Sequence, residues 1–263
     1  STLAVGAISE DSAAQQINGN QNDDSAESAG AVYVFTRTGS TWGQQAYLKS
    51  AYGEGGDRFG FSVALSFDGN TLAAAAFDED GAGKGTNPPH DNLSQNSGAL
   101  YVFTRQNGSW GQQAYIKGSR GETSDGFGFA TAISDDGNTI AVGAGDEACL
   151  TPGVNPPGCA DDAAPGRGAN IWSGAAYVFV RNGTTWTEQA FIKAVKTGDD
   201  QEGGPSRGGY RVGIKSEAQM AGYINENVTK NSSILTDNAK TYGVILLSGR
   251  PQLFFDRVDK GDT

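Results

Sequence analysis

The chain of 263 residues carries 30 acidic and 19 basic side chains, which give a formal net charge of −11, with 39 glycines and one histidine. This acidic balance argues against nucleic acid or anionic membranes as main partners, because both repel a negative surface, and it suits a protein that binds cations. No apolar run approaches the roughly 18 residues that a membrane span requires. The chain opens on STLAVGA without a signal-peptide pattern, as expected of a mature or truncated chain.

Four short pieces recur along the chain in a fixed order. The first is TLAVGA from Thr2, which returns as TLAAAA from Thr71 and TIAVGA from Thr139. The second is AVYVFTR from Ala31, with copies from Ala99 and Ala175; the third begins at Trp42, Trp110 and Trp186; the fourth is FGFSVALS from Phe59 and FGFATAIS from Phe127. The pieces are rich in β-branched and aromatic residues and are bounded by turn residues. This pattern predicts short strands, and no sustained helical period competes with it.

The connections between the pieces predict how the strands pair. Thr-Gly or Asn-Gly lies between the second and third pieces, and Asp-Gly-Asn lies between the fourth piece and the next first piece. These residues tolerate the positive φ of tight hairpins, so consecutive strands should pair antiparallel in a four-stranded meander. Such sheets bury their faces by stacking around an axis, which predicts an all-β fold of β-propeller blades. A β-solenoid is the alternative, although its repeats are usually shorter.

Three kinds of side chain suggest how the blades are built. The alanines and glycines of the first piece predict that this piece forms the innermost strand, because only small side chains fit near the central channel. The equivalent positions of Trp42, Trp110 and Trp186 favour packing between blades over the stacking of glycan rings. The Gln-rich segments of the third piece, at 44–45, 112–113 and 188–189, are expected on its outward face.

A Phe-Gly strand is joined by DGN to TLAAAA or TIAVGA, and GALYVFTR with its tryptophan hairpin follows. This arrangement resembles the FG-GAP repeat in its bacterial extracellular form. This resemblance covers about residues 1–193. It implies the integrin-α type of β-propeller, which usually has seven blades, whereas three clear units are present here. The sequence also starts inside a repeat, which suggests either a piece of a longer protein or a first blade completed by a C-terminal strand.

The expected organisation is a propeller region at 1–204, with units of about 1–70, 71–138 and 139–204. Acidic residues outnumber basic ones by 24 to 11 in this region, but only 6 acidic and 8 basic residues follow in 205–263. The last segment is interpreted as a degenerate fourth blade or a separate C-terminal segment, because GGYRVGIKS from Gly208 aligns with the fourth piece.

Two cysteines, Cys149 and Cys159, flank the loop segment LTPGVNPPG. This spacing favours a local disulfide, which implies an oxidising compartment and therefore a secreted or surface protein. Free thiols in a cytosolic loop are the alternative. Two cysteines without nearby partners are too few ligands for zinc.

The long connections between the first and second pieces are rich in Asp, Asn and Gly, the residues that supply oxygen ligands to calcium. The family resemblance also implies calcium in this region, through an Asp-x-Asp-x-Asp-Gly type of loop, and Asp78 and Asp80 give the nearest match. The other candidate ligands are Asn18, Asn20, Asn22, Asp24 and Asp146. The alternative is that all of these are solvated turn residues.

The predicted function is binding: a secreted or cell-surface adhesion module that recognises protein or glycan through its variable loops and is stabilised by calcium. No catalytic residue is predicted, because His90 is the single histidine and is expected to be merely exposed in its loop. The protein is therefore expected not to be an enzyme. The alternatives are a structural protein that self-associates into a surface layer or fibre and, less favoured, a propeller hydrolase or lyase.

Overall fold

The computed structural model describes residues 1–149, 151–157 and 174–193, and within these ranges it contains strands and no helix. The all-β prediction is therefore confirmed. The strands are β1 (Thr2–Ala7), β2 (Ala31–Thr38), β3 (Thr41–Leu48), β4 (Phe59–Leu65), β5 (Thr71–Ala76), β6 (Gly85–Thr86), β7 (Ala99–Gln106), β8 (Ser109–Lys117), β9 (Phe127–Ile133), β10 (Thr139–Ala144), β11 (Gly153–Val154), β12 (Ala175–Asn182) and β13 (Thr185–Lys193). None of the described residues lies in a helix long and apolar enough to cross a membrane.

The strands form three antiparallel sheets of the β-propeller type. Blade one has the order β1-β2-β3, blade two β4-β5-β7-β8-β6 and blade three β9-β10-β12-β13-β11. The predicted meander of four consecutive strands is thus present in blades two and three, where each blade starts with the fourth piece of the sequence repeat. The two-residue strands β6 and β11, which the sequence did not predict, add a fifth strand at one edge. Within the described residues no sheet closes on itself.

The predicted turn chemistry is also present. Asn107 and Gly108 in the hairpin between β7 and β8 have φ values of 50° and 82°. Gly69 and Gly137, the glycines of the two Asp-Gly-Asn turns, both have a φ of 69°. These turns hold the strand register that places alternate side chains on opposite faces of each blade.

Apolar side chains fill the two spaces between neighbouring blades. The cluster between blades one and two includes Val34, Phe59 and Phe103, and the cluster between blades two and three includes Phe127 and Phe179. Edge-to-face contacts between aromatic rings contribute to both, such as Phe59 with Tyr101 at 5.6 Å. The core of the described region therefore lies between sheets, as a propeller requires.

The prediction that the first piece forms the innermost strand is wrong. The fourth-piece strands β4 and β9 are the edges along which neighbouring sheets approach each other, and the Ser62 and Thr131 hydroxyls lie 2.7 Å apart there. The first piece is the second strand of its blade. Its small residues serve a different contact, because a Cβ on Gly6 would lie 2.0 Å from the Gly60 carbonyl oxygen on the neighbouring blade.

A polar contact, which we call the clasp, joins the third-piece strand of blade one to blade two and that of blade two to blade three. The Gln45 Oε1 of blade one accepts hydrogen bonds from Arg105 Nη1 and Trp110 Nε1 of blade two, both at 3.0 Å. The Arg105 guanidinium also stacks on Trp110, 5.3 Å from its ring centre. In the next interface Gln113 accepts from Arg181 at 3.2 Å and from Trp186 at 2.9 Å.

The clasp corrects the expectation that the third-piece glutamines face outward. Opposite Val34 and Phe35 the ladder of β3 passes from Ala46 to Gln44, so Gln45 is the extra residue of a β-bulge. The same shift leaves out Gln113 in β8. A bulge breaks the alternation of the strand and redirects one side chain, and here it directs a glutamine to the next blade. The same interfaces bury Trp110 and Trp186 to 8% and 1% exposure, which confirms that these two tryptophans pack between blades.

We expect Gln45→Leu to lower the free energy of unfolding by about 1–3 kcal/mol, because it leaves the Trp110 indole N–H without its acceptor in the interface. The neighbouring Gln44→Leu is the matched control, since Gln44 is exposed and its side-chain amide donates a hydrogen bond to Gln21 of the same blade at 3.2 Å. Urea unfolding of both variants measures the difference. Equal stabilities would show that the clasp contributes nothing.

Candidate functional site: the loop end of the blades

All long connections lie at one end of the blades, which we call the loop end. It comprises residues 8–30, 49–58, 77–98 and 118–126, and the described parts of 145–174. The opposite turn end holds only the tight hairpins, such as 66–70 and 107–108. The antiparallel order of the strands fixes this arrangement, because every first-to-second and third-to-fourth connection must leave from the same edge.

A repeated asparagine clamp fixes the outer part of each long loop. Asn18 has a φ of 57°, its N–H donates to the Tyr47 carbonyl at 2.7 Å, and its Oδ1 accepts from the Tyr47 N–H at 2.9 Å. Asn87 makes the same pair of bonds with Tyr115, and Asn155 makes it with Phe191. Asparagine tolerates this left-handed conformation better than most residues. Asn18, a candidate calcium ligand, is therefore engaged as a structural residue in this clamp.

A buried ion pair lies beneath the loop of blade two. Glu79 Oε2 pairs with the Lys117 ammonium, and Glu79 Oε1 accepts a hydrogen bond from the Tyr115 hydroxyl at 2.7 Å. Lys117 also donates to Ser97 Oγ at 2.7 Å. The exposures of Glu79 and Lys117 are 1% and 2%. A buried pair of charges is tolerated only when further hydrogen bonds satisfy both groups, and this pair meets that condition.

The glutamate, tyrosine and lysine recur in blade one, and blade three keeps a glutamate and a lysine with different partners. In blade one Glu10 binds Lys49 Nζ at 2.8 Å and the Tyr47 hydroxyl at 2.6 Å. In blade three Phe191 stands where Tyr47 and Tyr115 stand in the first two blades. The bond to Glu147 comes instead from Tyr177 of the neighbouring strand, at 2.8 Å. Lys193 donates to the Glu147 and Gly174 carbonyls, both at 2.6 Å.

Burial dominates the protonation behaviour of this end. Desolvation lowers the pKa of Lys117 and lowers that of Lys193 to about 8, while burial and the nearby glutamates raise the pKa values of Tyr115 and Tyr177. Asp57, whose carboxylate accepts the Glu54 N–H, has its pKa raised to about 7, mainly by burial. These shifts follow from taking charged groups out of water.

His90 is not merely exposed as the sequence suggested. Its ring stacks on Tyr52 with centres 4.6 Å apart, and its Nε2 lies 3.4 Å from Glu79 Oε1. Because Tyr52 precedes blade two in the chain and His90 lies within the long loop of blade two, this stack joins two adjacent connections of the loop end. The histidine therefore serves as a packing residue between loops, next to a glutamate that already has two other partners.

The calcium candidates of blade two do not share a site in the described conformation. The Asp78 carboxylate pairs with Arg58 Nη1 at 3.0 Å, and Asp80 Oδ1 accepts the Asn96 N–H at 2.7 Å. Among residues 1–149, 151–157 and 174–193, no three His, Cys, Asp or Glu side chains are grouped so that they could hold a metal. A calcium ion at Asp78 would have to replace Arg58 and draw its remaining ligands from amide and backbone oxygens.

The remaining candidates are placed as follows. Asn20 Oδ1 accepts the Asn22 N–H at 3.1 Å in a local turn of the first loop, and Asp24 is exposed in the same loop. Asp146 directly precedes the buried Glu147, and its N–H donates to the Asp125 carbonyl at 3.1 Å. Asp146 thus belongs to a different loop from the other candidates.

Of the two cysteines, Cys149 is buried, with 1% exposure. Cys159 lies outside the described residues, as do 158–173 and all of 194–263. The disulfide and the interpretation of 205–263 therefore stay predictions.

Sequence reasoning missed the glutamates that lie beneath the long loops. Glu10, Glu79 and Glu147 each follow the first residue of the first piece by eight positions, and Lys49, Lys117 and Lys193 each end the third piece. This fixed offset was the available signal. It was hidden because the glutamates stand in acidic loop segments that otherwise differ in length and sequence.

We expect Lys117→Met to destabilise the fold by about 3–5 kcal/mol, because it leaves the buried Glu79 carboxylate without its counter-charge. Lys84→Met is the control, since the Lys84–Glu122 pair is largely exposed and spans 3.9 Å. Its loss should cost less than about 1 kcal/mol. Chemical denaturation of the two variants gives both values, and equal losses would contradict a structural role for the buried pair.

Comparisons with known proteins bear on the family. Residues 42–103 match the family model of the FG-GAP repeat. No curated protein matches the chain. Among solved structures, a hypothetical selenium-binding protein from Sulfolobus tokodaii aligns at 10% identity with a TM-score of 0.35, over 62% of this chain and 35% of that one. The chain thus spans about a third of that protein's length, and so low a score carries no argument.

The segment that matches the FG-GAP model runs from β3 into β7, and the same pieces recur before and after it. The chain therefore contains an FG-GAP repeat, as its Phe-Gly strands and DGN turns predicted.

Proposed function

We propose that this chain is an extracellular or cell-surface binding module that recognises protein or glycan ligands through its loop end. FG-GAP repeats indicate a module of the β-propeller type. The observation that carries the proposal is that all long loops leave one end of the blades and that a glutamate bonded to a tyrosine hydroxyl lies beneath the first-to-second loop of each described blade. Loops that differ in sequence on a shared rigid support are the usual place for recognition.

The surface of the loop end supports this proposal. Leu93 is 82% exposed in the loop of blade two, and Tyr52 is 37% exposed beside His90. Acidic side chains surround them, among them Glu54, which accepts a hydrogen bond from the Asn92 amide at 2.7 Å. An apolar and aromatic patch with polar groups at its rim suits a protein or carbohydrate surface. Since the three lysines of the anchors are buried beneath the loops, they do not neutralise this acidic rim.

Calcium is the proposed stabilising ion of the loop end. The acidic loops offer carboxylate, amide and carbonyl oxygens, which are the ligands that calcium takes. Asp78 and Asp80 lie on either side of Glu79, the anchor of blade two. Binding there would order the segment between the anchor and the exposed Leu93, and it requires Asp78 to leave Arg58.

We propose a binding role rather than catalysis. The carboxylate of Glu79 is held by Lys117 and Tyr115, and His90 is stacked on Tyr52, so these groups already have structural tasks. A hydrolase or lyase acting at the loop end is the rival. Extracellular location is likewise a proposal, which rests on the family resemblance and on the predicted disulfide.

Leu93→Ser should weaken ligand binding at least tenfold, because it removes the most exposed apolar side chain of the loop end. Phe67→Ser is the matched control: Phe67 is 88% exposed but lies at the turn end. Arrays of glycans and extracellular-matrix proteins, probed in calcium, would identify a ligand, and titration calorimetry would compare the variants. Equal losses in both variants, or no ligand on either array, would count against the proposal.

Calcium should raise the melting temperature with its concentration if it binds the folded state alone. A hundredfold excess over the dissociation constant adds about 2.7 kcal/mol of stability. The double variant Asp78→Asn/Asp80→Asn should lose this response. Asp68→Asn, in a turn-end hairpin where Asp68 caps Asn70, should keep it. No shift at millimolar calcium in the wild type would rule out the calcium proposal without touching the ligand proposal.

A further inference from the structure

Two buried hydroxyl groups at the junction of blades one and two make no hydrogen bond. Ser50 and Tyr101 are fully buried, and within the described part of the chain neither the Ser50 Oγ nor the Tyr101 hydroxyl has a hydrogen-bond partner. Ser50 follows β3 at the loop end, and it lies close enough to the Tyr101 hydroxyl to influence its pKa. Buried polar groups nearly always have a partner, so an unpartnered pair points to a bound water or ion.

A buried carboxylate without a counter-charge lies in the same place. Asp57 is 6% exposed, its Oδ2 accepts the Glu54 N–H at 2.9 Å, and it takes part in none of the ion pairs among the described residues. The charges of Asp57 and Glu79 both act on the Tyr101 hydroxyl. Because Glu79 already pairs with Lys117, the carboxylate of Asp57 is the negative charge that is left unmatched. An unmatched charge away from water is costly.

The junction of blades two and three differs at the two hydroxyl positions. Gly118 takes the place of Ser50 there, and the hydroxyl of Tyr177, the counterpart of Tyr101, donates to Glu147 at 2.8 Å. A Cβ on Gly118 would lie 3.2 Å from the Tyr177 hydroxyl oxygen, which indicates that a serine at this position stands beside the tyrosine hydroxyl. The pair of unpartnered hydroxyls is therefore specific to the first junction and is not a property of the repeat.

We propose that Asp57, Ser50 and Tyr101 form a binding site for a small monovalent cation, sodium or potassium. The carboxylate supplies the charge, and the two hydroxyl oxygens supply neutral ligands of the kind that hard cations prefer. One positive charge matches the single carboxylate that remains after Lys117 has neutralised Glu79. The site is of a different kind from a centre with three acidic, histidine or cysteine ligands, which the described residues do not form.

The bound cation joins parts of the chain that are distant in sequence. Ser50 and Asp57 lie near the two ends of the connection 49–58, and Tyr101 lies on β7 of blade two. The cation therefore fixes this connection, which carries the half-exposed Tyr52 of the ligand surface, against blade two. The site lies beneath the loop end and shares no residue with the proposed calcium ligands, so it can fail while the ligand and calcium proposals hold, and the reverse.

Thermal melting of the full chain at constant ionic strength, with a calcium chelator present, tests the proposal. Sodium chloride or potassium chloride replaces choline chloride stepwise, since choline is too large to enter a buried site. The melting temperature should rise with the concentration of the alkali cation, because a ligand of the folded state stabilises it. The salt that gives the larger rise identifies the preferred ion. Equal melting temperatures in all three salts would overturn the proposal and show that a proton or a water satisfies the cluster.

Variants at the two junctions locate the effect. Asp57→Asn and Ser50→Ala should each weaken the apparent affinity for the cation about tenfold or more. Asp125→Asn is the matched control in the second junction, where the Asp125 carboxylate accepts the Glu122 N–H at 2.6 Å as Asp57 accepts that of Glu54. It should respond to the cation as the wild type does. An undiminished response in Asp57→Asn or Ser50→Ala would contradict the site.

Tyr101→Phe gives a readout that does not depend on a change of charge. If the hydroxyl binds the cation, this variant should melt below the wild type in sodium or potassium chloride and close to it in choline chloride. If the hydroxyl has no ligand, removing an unsatisfied buried group leaves stability unchanged or raises it in every salt. The second result would overturn the role of Tyr101 in the site, even where Asp57→Asn does not fold.

Discussion

The structure of the loop end depends on a glutamate that bonds a tyrosine hydroxyl beneath the first-to-second loop of each described blade, and in blades one and two this glutamate also pairs with a buried lysine. Removing two charges from water costs several kcal/mol, and attraction between them offsets this only when every remaining donor and acceptor is satisfied. The surroundings are therefore constrained. Blade two supplies the Tyr115 hydroxyl and Ser97 to the pair, and blade three, which has Phe191 in place of that tyrosine, supplies Tyr177 from the adjacent strand. The hydroxyl is kept although its position in the sequence changes.

The contact between blades obeys a second constraint, which concerns distance. Neighbouring sheets approach so closely along their inner strands that backbone meets backbone. Gly98 has a φ of 78°, and a Cβ there would lie 2.0 Å from the Phe127 carbonyl oxygen; Gly30 meets Phe59 in the same way. The outer strands are farther apart, and there long side chains connect them. The arginine, tryptophan and glutamine of the clasp have the length to do so, whereas the alanines and glycines of the first piece do not.

Much of the fold could be predicted from the sequence because it follows from local rules. Alternation, Asn-Gly and Asp-Gly-Asn turns and the internal repeat gave the strands, their order and their antiparallel pairing. The inner position of the fourth piece could not be predicted, since small residues are compatible with any close contact. Gln45 was assigned to the wrong face because a bulge breaks the alternation on which the assignment relied.

The site was predicted only in its location. The Asp- and Asn-rich loops do gather at one end, but their most constrained residues are the glutamates at a fixed offset, not the candidate ligands. Asn18 is held by a backbone clamp, and Asp78 by Arg58. These contacts depend on residues distant in sequence, so composition alone could not distinguish a metal ligand from a residue that holds the loop in place.

One strand explains why the third piece is repeated so closely. In β8, Trp110 receives the glutamine of the preceding blade and Gln113 reaches the following one. Two and four residues further along, the Tyr115 N–H holds the loop clamp and Lys117 holds the buried glutamate. A substitution that shifts this strand would therefore disturb the stack of blades and the loop end together. In blade two the support of the loop end and the alignment with the neighbouring blades thus rest on the same nine residues, Ser109–Lys117.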